Sequence, residues 1–178
     1  MKVSMLRKLV LSVISSWLAL VIYTDFIVVP TVFTTLSNRV EAGELGMKVF
    51  SALGAFEVVA SIFLFFSAIV VFKKFRTKRA GYLFIFATCL CGFALLGKFY
   101  MTPKITKLNS LKYTLNEATP QYKEIDQEHQ LYHGLYIKLD GTKILFLLAG
   151  LFGSLRSSRF DNEGLFSLKK SSIHGSRG

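Results

Sequence analysis

LYHGLYIKLDGTKILFLLAGLF, residues 131–152, begins like a surface and ends like the interior of a membrane. On a helix, His133, Tyr136, Asp140 and Lys143 follow one another at spacings of three, four and three residues, which gathers them within an arc of about 80° at about 100° per residue. Residues 144–151 then run apolar without a charge. A polar stripe on an apolar helix is costly against lipid, so either it faces something other than lipid or the helix lies shallow. Read as a span, the stretch closes a four-helix protein.

Composition supports that reading. The 178 residues are 52% hydrophobic with a mean hydropathy of +0.45, above the roughly 45–50% of a soluble domain by a count that also includes glycine. The excess lies in four blocks, residues 9–36, 46–72, 80–101 and 131–155. Each is long enough for the roughly 20 residues that cross a hydrocarbon core of about 30 Å. The expected fold class is all-α: a polytopic membrane protein with a four-helix transmembrane bundle over residues 1–155. An outer loop is expected at 102–130, with an interfacial helix over 104–117. The basic tail, 156–178, is rich in serine, glycine and charge and is expected to be disordered in the cytoplasm.

The net charge of +11 is unevenly spread. Lys2, Arg7 and Lys8 precede the first block, Lys73, Lys74, Arg76, Lys78 and Arg79 fill the second connection, and Arg156, Arg159, Lys169, Lys170 and Arg177 mark the tail. The first connection sets Arg39 against Glu41 and Glu44, and the third balances its lysines with Glu117, Glu124, Asp126 and Glu128. By the positive-inside rule both termini are cytoplasmic and the protein sits in the cell membrane. A nucleic-acid surface would need basic residues interleaved with exposed aromatics on one folded face, so no nucleic acid is expected as a partner. The basic amino-terminal residues read as the flank of an uncleaved first span, because the apolar block is too long for a signal peptide and lacks a small-x-small cleavage site.

Each block carries an ionisable residue. Asp25 falls about 24 Å into the first span at about 1.5 Å per residue, and Pro30 should kink or end that helix. Glu57 falls near mid-bilayer, on one helical side with Gly54, Ser61 and Ala68, as close helix contacts in membranes require. Lys98 shares a face with Thr88, Cys91 and Leu95, and either snorkels outward or turns towards a carboxylate. Asp25, Glu57, Lys98, His133, Tyr136, Asp140 and Lys143 therefore make the candidate polar cluster. Charges in such a place should pair, with Asp140 and Lys143 as an i, i+3 pair and Glu57 at the floor of a cavity opening outward.

Signals for chemistry are sparse. Cys89 and Cys91, two residues apart on a helix, point in different directions and read as packing residues. His129 and His133 form an i, i+4 pair, a weak metal candidate with only two ligands. A membrane haem would want two axial histidines from the spans, and the methionines are too scattered for a copper relay, so neither haem nor a metal cofactor is expected. No catalytic motif stands out, and enzyme activity is not expected.

The run FIVVPTVFTTLSNRVEAGELGMKVF, the Thr102-Pro103 step and the Leu131-x-His133 start of the last block resemble the transmembrane protein 205-like, domain of unknown function 4149 family of four-span membrane proteins. The resemblance covers residues 9–155 and implies a four-span fold, distantly similar to copper-resistance and haem-related membrane families. Relatives often carry serine and asparagine after the histidine, where this chain has Tyr136 and Asp140.

Two readings of function follow. One is a membrane protein that handles an ion or small solute through the polar cluster. The other is a structural or assembly subunit whose buried charges fix helix pairing. Four spans make a thin bundle, so a homo-oligomer or other membrane subunits, besides the lipid bilayer, are the expected partners.

Overall fold

The computed structural model describes residues 3–174, with side-chain surroundings described for residues 5–78 and 80–153. Lys2 and Arg177, two of the basic topology markers, lie outside the described residues, as do the side chains of the tail. The described chain is helical, with no strand. Helix α1 (Val3–Tyr23) passes through a π-helical turn (Thr24–Val28) into α2 (Val29–Thr35). Helix α3 (Arg39–Phe75) returns, α4 (Lys78–Leu96) passes through a second π-helical turn (Gly97–Met101) into α5 (Thr102–Thr114), and α6 (Pro120–His174) completes the chain.

Both π turns end two residues before a proline, Pro30 and Pro103. A helical proline has no N–H to donate and its ring collides with the carbonyl four residues earlier. Widening the preceding turn accommodates the ring, so the helix continues where the sequence predicts a kink or an end. In both cases the first amide beyond the turn reaches back five residues, Val29 to the Thr24 carbonyl and Thr102 to the Gly97 carbonyl. The expected outer loop is consequently mostly helix. α5 carries on from α4, and only residues 115–119 separate it from α6.

Side chains fix the turns between rods. Asn38 caps α3 by accepting from the Val40 amide at 2.9 Å, and Thr77 caps α4 by accepting from the Ala80 amide at 3.2 Å. Arg76 closes α3 in the left-handed region at φ 44°, a conformation that costs a non-glycine residue roughly 1–2 kcal/mol. At the opposite end, Lys112 of α5 bonds Asp126 of α6, and Lys104 pairs with Glu128 at 2.8 Å. Helical backbone runs on to His174, where the sequence suggests a disordered tail from residue 156. No proline follows Pro120, and once a helix is nucleated each further residue adds one hydrogen bond.

Polarity is inverted relative to a water-soluble bundle. Glu57, Ser61, Ser67, Asp140 and Lys143 are buried, while Phe66, Val59, Ile85, Leu145 and Phe152 are exposed. The core is built from Ile14, Trp17 and Val21 of α1, Leu53, Ala60 and Leu64 of α3, Ala87, Leu90 and Ala94 of α4, and Leu147 of α6. Apolar side chains on the outside with polar ones inside suit a lipid surround, in which exposed apolar surface costs nothing.

Among the described residues, three helices are long and apolar enough to cross a membrane: Met5–Thr35, Arg39–Phe75 and Ala80–Thr114. The expected fourth span is not among them. Its apolar stretch is interrupted by Lys138, Asp140 and Lys143. The expectation of four spans thus holds for three by length and composition, and the fourth turns on what neutralises its charges.

Gly150 of α6 lies under the Phe86 side chain of α4. A Cβ there would collide with Phe86 Cζ, and the Phe86 ring is stacked on Phe146. Gly150→Ala should therefore destabilise the protein by about 1–3 kcal/mol through forced repacking, seen as a lowered melting temperature in detergent. At the other end, the Lys112 ammonium beside Asp126 holds its carboxyl below the ordinary aspartate value. A lowered native pKa stabilises the α5–α6 hairpin above the unfolded value, and the contribution is lost as pH falls through the native one. Amide exchange in residues 104–130 should accelerate as pH drops below about 4 relative to that of α3, after correction for intrinsic rates, and Asp126→Asn should abolish the difference.

Candidate functional site

Glu57 stands at the midpoint of α3, equidistant from Arg39 and Phe75. Its neighbours at helical spacing, Gly54, Ser61 and Ala68, are buried with it. An unpartnered charge at that depth would cost about 3 kcal/mol on an insertion scale, and two donors meet it. Lys143 of α6 places its Nζ 2.5 Å from Glu57 Oε1, and Trp17 of α1 donates its indole N–H to the same oxygen at 3.1 Å. Lys143 also lies 2.6 Å from Asp140 Oδ1, one turn back on α6. That second contact is an ion pair whose angle is too poor for a hydrogen bond, which leaves Oδ1 without a directed donor.

The network joins three helices at one depth. Glu57 and Lys143 are each 2% exposed, so their attraction acts largely unscreened by water. The ammonium stem of Lys143 crosses the interior while its head is held by two carboxylates. Trp17 was not singled out by sequence reasoning. It is the single tryptophan of the chain, and it precedes Asp25 by eight residues, close to two helical turns plus one residue.

Beside the network lies a cavity of about 540 Å³ between α2, α3, α5 and α6. Asp25 and Asp140 both line it, within hydrogen-bonding reach of each other. The walls are largely aromatic and aliphatic: Phe26, Phe33, Met47, Phe50, Tyr136 and Ile144. Tyr136 packs edge-on against Phe50 with ring centroids 5.6 Å apart. His129 and His133 line the part nearer the α5–α6 loop, with parallel rings and centroids 5.9 Å apart. Burial lowers the His129 imidazole below the ordinary histidine value, and Lys112 adds to the effect.

Six of the seven cluster residues thus gather as the sequence suggests, in two layers. Asp25, His133, Tyr136 and Asp140 line the cavity, whereas Glu57 and Lys143 lie behind that wall. Glu57 is therefore not among the residues lining the cavity, whereas Asp25 and Asp140 are. Lys98 stands apart. Its ammonium donates to the Ser51 carbonyl and to Ser51 Oγ, both at 2.8 Å, and it lines a second cleft with Lys48 and Lys107. Thr88, Cys91 and Leu95, expected on its face, are exposed or half-buried, while α4 buries Ala80, Ala87, Leu90 and Ala94.

When all are ionised, the three carboxyl groups Asp25, Glu57 and Asp140 leave two negative charges uncompensated by Lys143. Two carboxylates in contact can hold a proton or a cation between them. Among the described residues no three His, Cys, Asp or Glu side chains surround a common metal position. His129 and His133 remain a pair.

These features define an all-helical integral membrane protein with several apolar helices around a buried ionic centre. The chain belongs to the DUF4149 family, a domain of unknown function, whose match spans residues 12–114. The matched part holds α2 to α5 entire, with Trp17, Asp25 and Glu57, and ends before α6, so it shows neither a fourth span nor the likeness to transmembrane protein 205. No curated protein and no solved structure matches the chain significantly.

Removing one partner of the buried pair leaves the other charge stranded. Lys143→Met or Glu57→Gln alone should lower stability by about 3–5 kcal/mol, and the double substitution should recover much of that loss. Unfolding in mixed micelles, run as a double-mutant cycle, reads the coupling; additive losses would mean that the pair does not hold α3 to α6.

Proposed function

We propose that this protein handles a cation, either a proton or a small cationic solute, at the Asp25–Asp140 pair lining the cavity, with the Glu57–Lys143–Trp17 network holding the bundle around it. The observation that carries the reading is the unequal pairing of the carboxyl groups. Glu57 has a cation and an indole N–H, Asp140 shares that cation, and Asp25 has Asp140 as its neighbour with no ion pair among the described residues. A purely structural charge cluster would favour balanced pairs, because each uncompensated charge adds a desolvation penalty. The surplus negative charge borders the cavity, where a ligand could reach it.

The same network supports a fourth crossing by α6 over residues 131–155. Lys143 is paired with Glu57 and Asp140 inside the protein rather than turned to lipid, and exposed Lys138 can extend along the helix surface towards an interface. With that crossing, the basic segments before α1, between α3 and α4 and after residue 155 share one side, which supports cytoplasmic termini in the cell membrane.

The assembly-subunit reading draws on one observation of its own: Glu57 and Lys143 pair within the chain and fix α3 against α6. That pair accounts for a structural role and leaves Asp25 without one.

Cysteine substitutions test the cation reading. Cysteine at position 25 should react with a membrane-impermeant thiol reagent added from the side of the α5–α6 loop, and cysteine at position 57 should stay unreactive, both assayed with Cys89 and Cys91 replaced by alanine. Asp25→Asn should leave the folded protein abundant and abolish any solute-dependent phenotype. Loss of the folded protein with Asp25→Asn, rescued by no charged substitute, would favour the assembly role instead.

A further inference from the structure

The walls of the cavity say more about its ligand than the carboxylates alone do. A site for a bare metal cation or a proton relay is small and polar, because a hard ion must be given oxygen ligands in place of its water. Here about 540 Å³ lies beside Asp25 and Asp140, within the roughly 300–1,000 Å³ range of organic-ligand sites. Its polar lining comprises Asp25, Asp140, Asn109, two histidines and two tyrosines, and among the described residues no lysine or arginine lines it. Phe26, Phe33, Phe50 and Tyr136 supply ring faces and edges along the way. Aromatic rings attract a diffuse organic cation, and the attraction strengthens when the cation is desolvated.

The cavity also has a side facing lipid. Phe26, Phe33 and Ile137 line it and are themselves 71%, 53% and 57% exposed. α2 packs on α3 and has little contact with α6, although α1 packs on α6 directly. The wall is therefore open between α2 and α6 at a level where the surrounding surface is apolar.

We infer that the ligand is a hydrophobic organic cation, an ammonium or phosphonium with an apolar or aromatic body, which reaches Asp25 and Asp140 sideways from the bilayer through the gap between α2 and α6. This rests on the cation reading above and narrows it. The positive centre sits against the Asp25–Asp140 pair and replaces the missing countercharge. The apolar body lies among Phe33, Phe50 and Ile144. The residual exposure of Phe26 and Ile137 marks the threshold it crosses.

The test uses the full chain in lipid nanodiscs, with empty nanodiscs as the partition control. Tetraphenylphosphonium, its anionic counterpart tetraphenylborate, tetramethylammonium and sodium are titrated separately, with binding read by equilibrium dialysis. Saturable binding of tetraphenylphosphonium above the lipid background is expected, with tetraphenylborate at background and the two small cations at least tenfold weaker. Asp25→Asn should weaken tetraphenylphosphonium binding at least tenfold, and Asp25→Glu should restore most of it. Ile137→Trp, at the gap, should slow uptake from preloaded lipid relative to the unsubstituted chain.

Equal binding of the borate, or binding indifferent to Asp25→Asn, would overturn the inference and point to lipid-like occupancy of an apolar groove. Saturable binding of sodium or tetramethylammonium, or proton uptake that Asp25→Asn abolishes, without phosphonium binding would overturn the organic-cation inference and leave the cation reading standing. If none of the cations binds, no such proton uptake occurs and cysteine at position 25 is also inert, both fail.

Discussion

The contact between Lys143 and Glu57 is the constraint on which the rest of the architecture depends. Neither charge could remain at mid-bundle depth alone, because an ion without water or a partner is driven either to neutralise or to leave. Together they tie the centre of α3 to α6, and the indole of Trp17 brings α1 to the same point. The remaining core is made of small and aliphatic side chains that pack around this centre without specifying a depth. Alanines at positions 60, 68, 87 and 94 let the helices approach, and the ion pair sets which turn meets which.

Much of this was legible from spacing. Gly54, Glu57, Ser61 and Ala68 fall on one side of a helix by arithmetic, and they are buried together because small and polar groups are the ones a helix in lipid turns inward. The i, i+3 relation of Asp140 and Lys143 is likewise a property of helical geometry. What spacing could not supply was partner choice. Lys98 has the charge and the approximate depth to join the carboxylates, yet its stem lies along Gly54 and its head reaches Ser51. Which acceptor a long flexible side chain meets is a tertiary outcome, and serine, whose hydroxyl and carbonyl can serve together, carries no distinguishing pattern.

The outer segment shows a second limit. The Thr102-Pro103 step reads locally as the end of a span, and the polar run after it as a separate interfacial helix in an outer loop. Both inferences consider the α-helix alone. The π turns before Pro30 and Pro103 offer the chain another way to keep its hydrogen bonds, and the segment beyond Pro103 is then held by Lys112–Asp126 and Lys104–Glu128 across the hairpin. The division of the polar cluster into a paired layer and a cavity-lining layer was also beyond the sequence, since residues on one stripe of α6 end up on opposite sides of a wall whose other half comes from α1 and α3.

Those π turns bear on the shape of the cavity. Each one adds a residue to a helical turn, so side chains before and after it are out of phase by about 100°. A single rod can then present one side to one neighbour and a different side to another: α1 packs on both α6 and α3, whereas α2, beyond the turn, packs on α3 and draws away from α6. The opening beside Phe33 is in this sense a matter of angular bookkeeping rather than of missing bulk. Shortening the rod by one residue between Thr24 and Val28 would rotate everything beyond it, so the count of residues there governs the portal as much as their identity does.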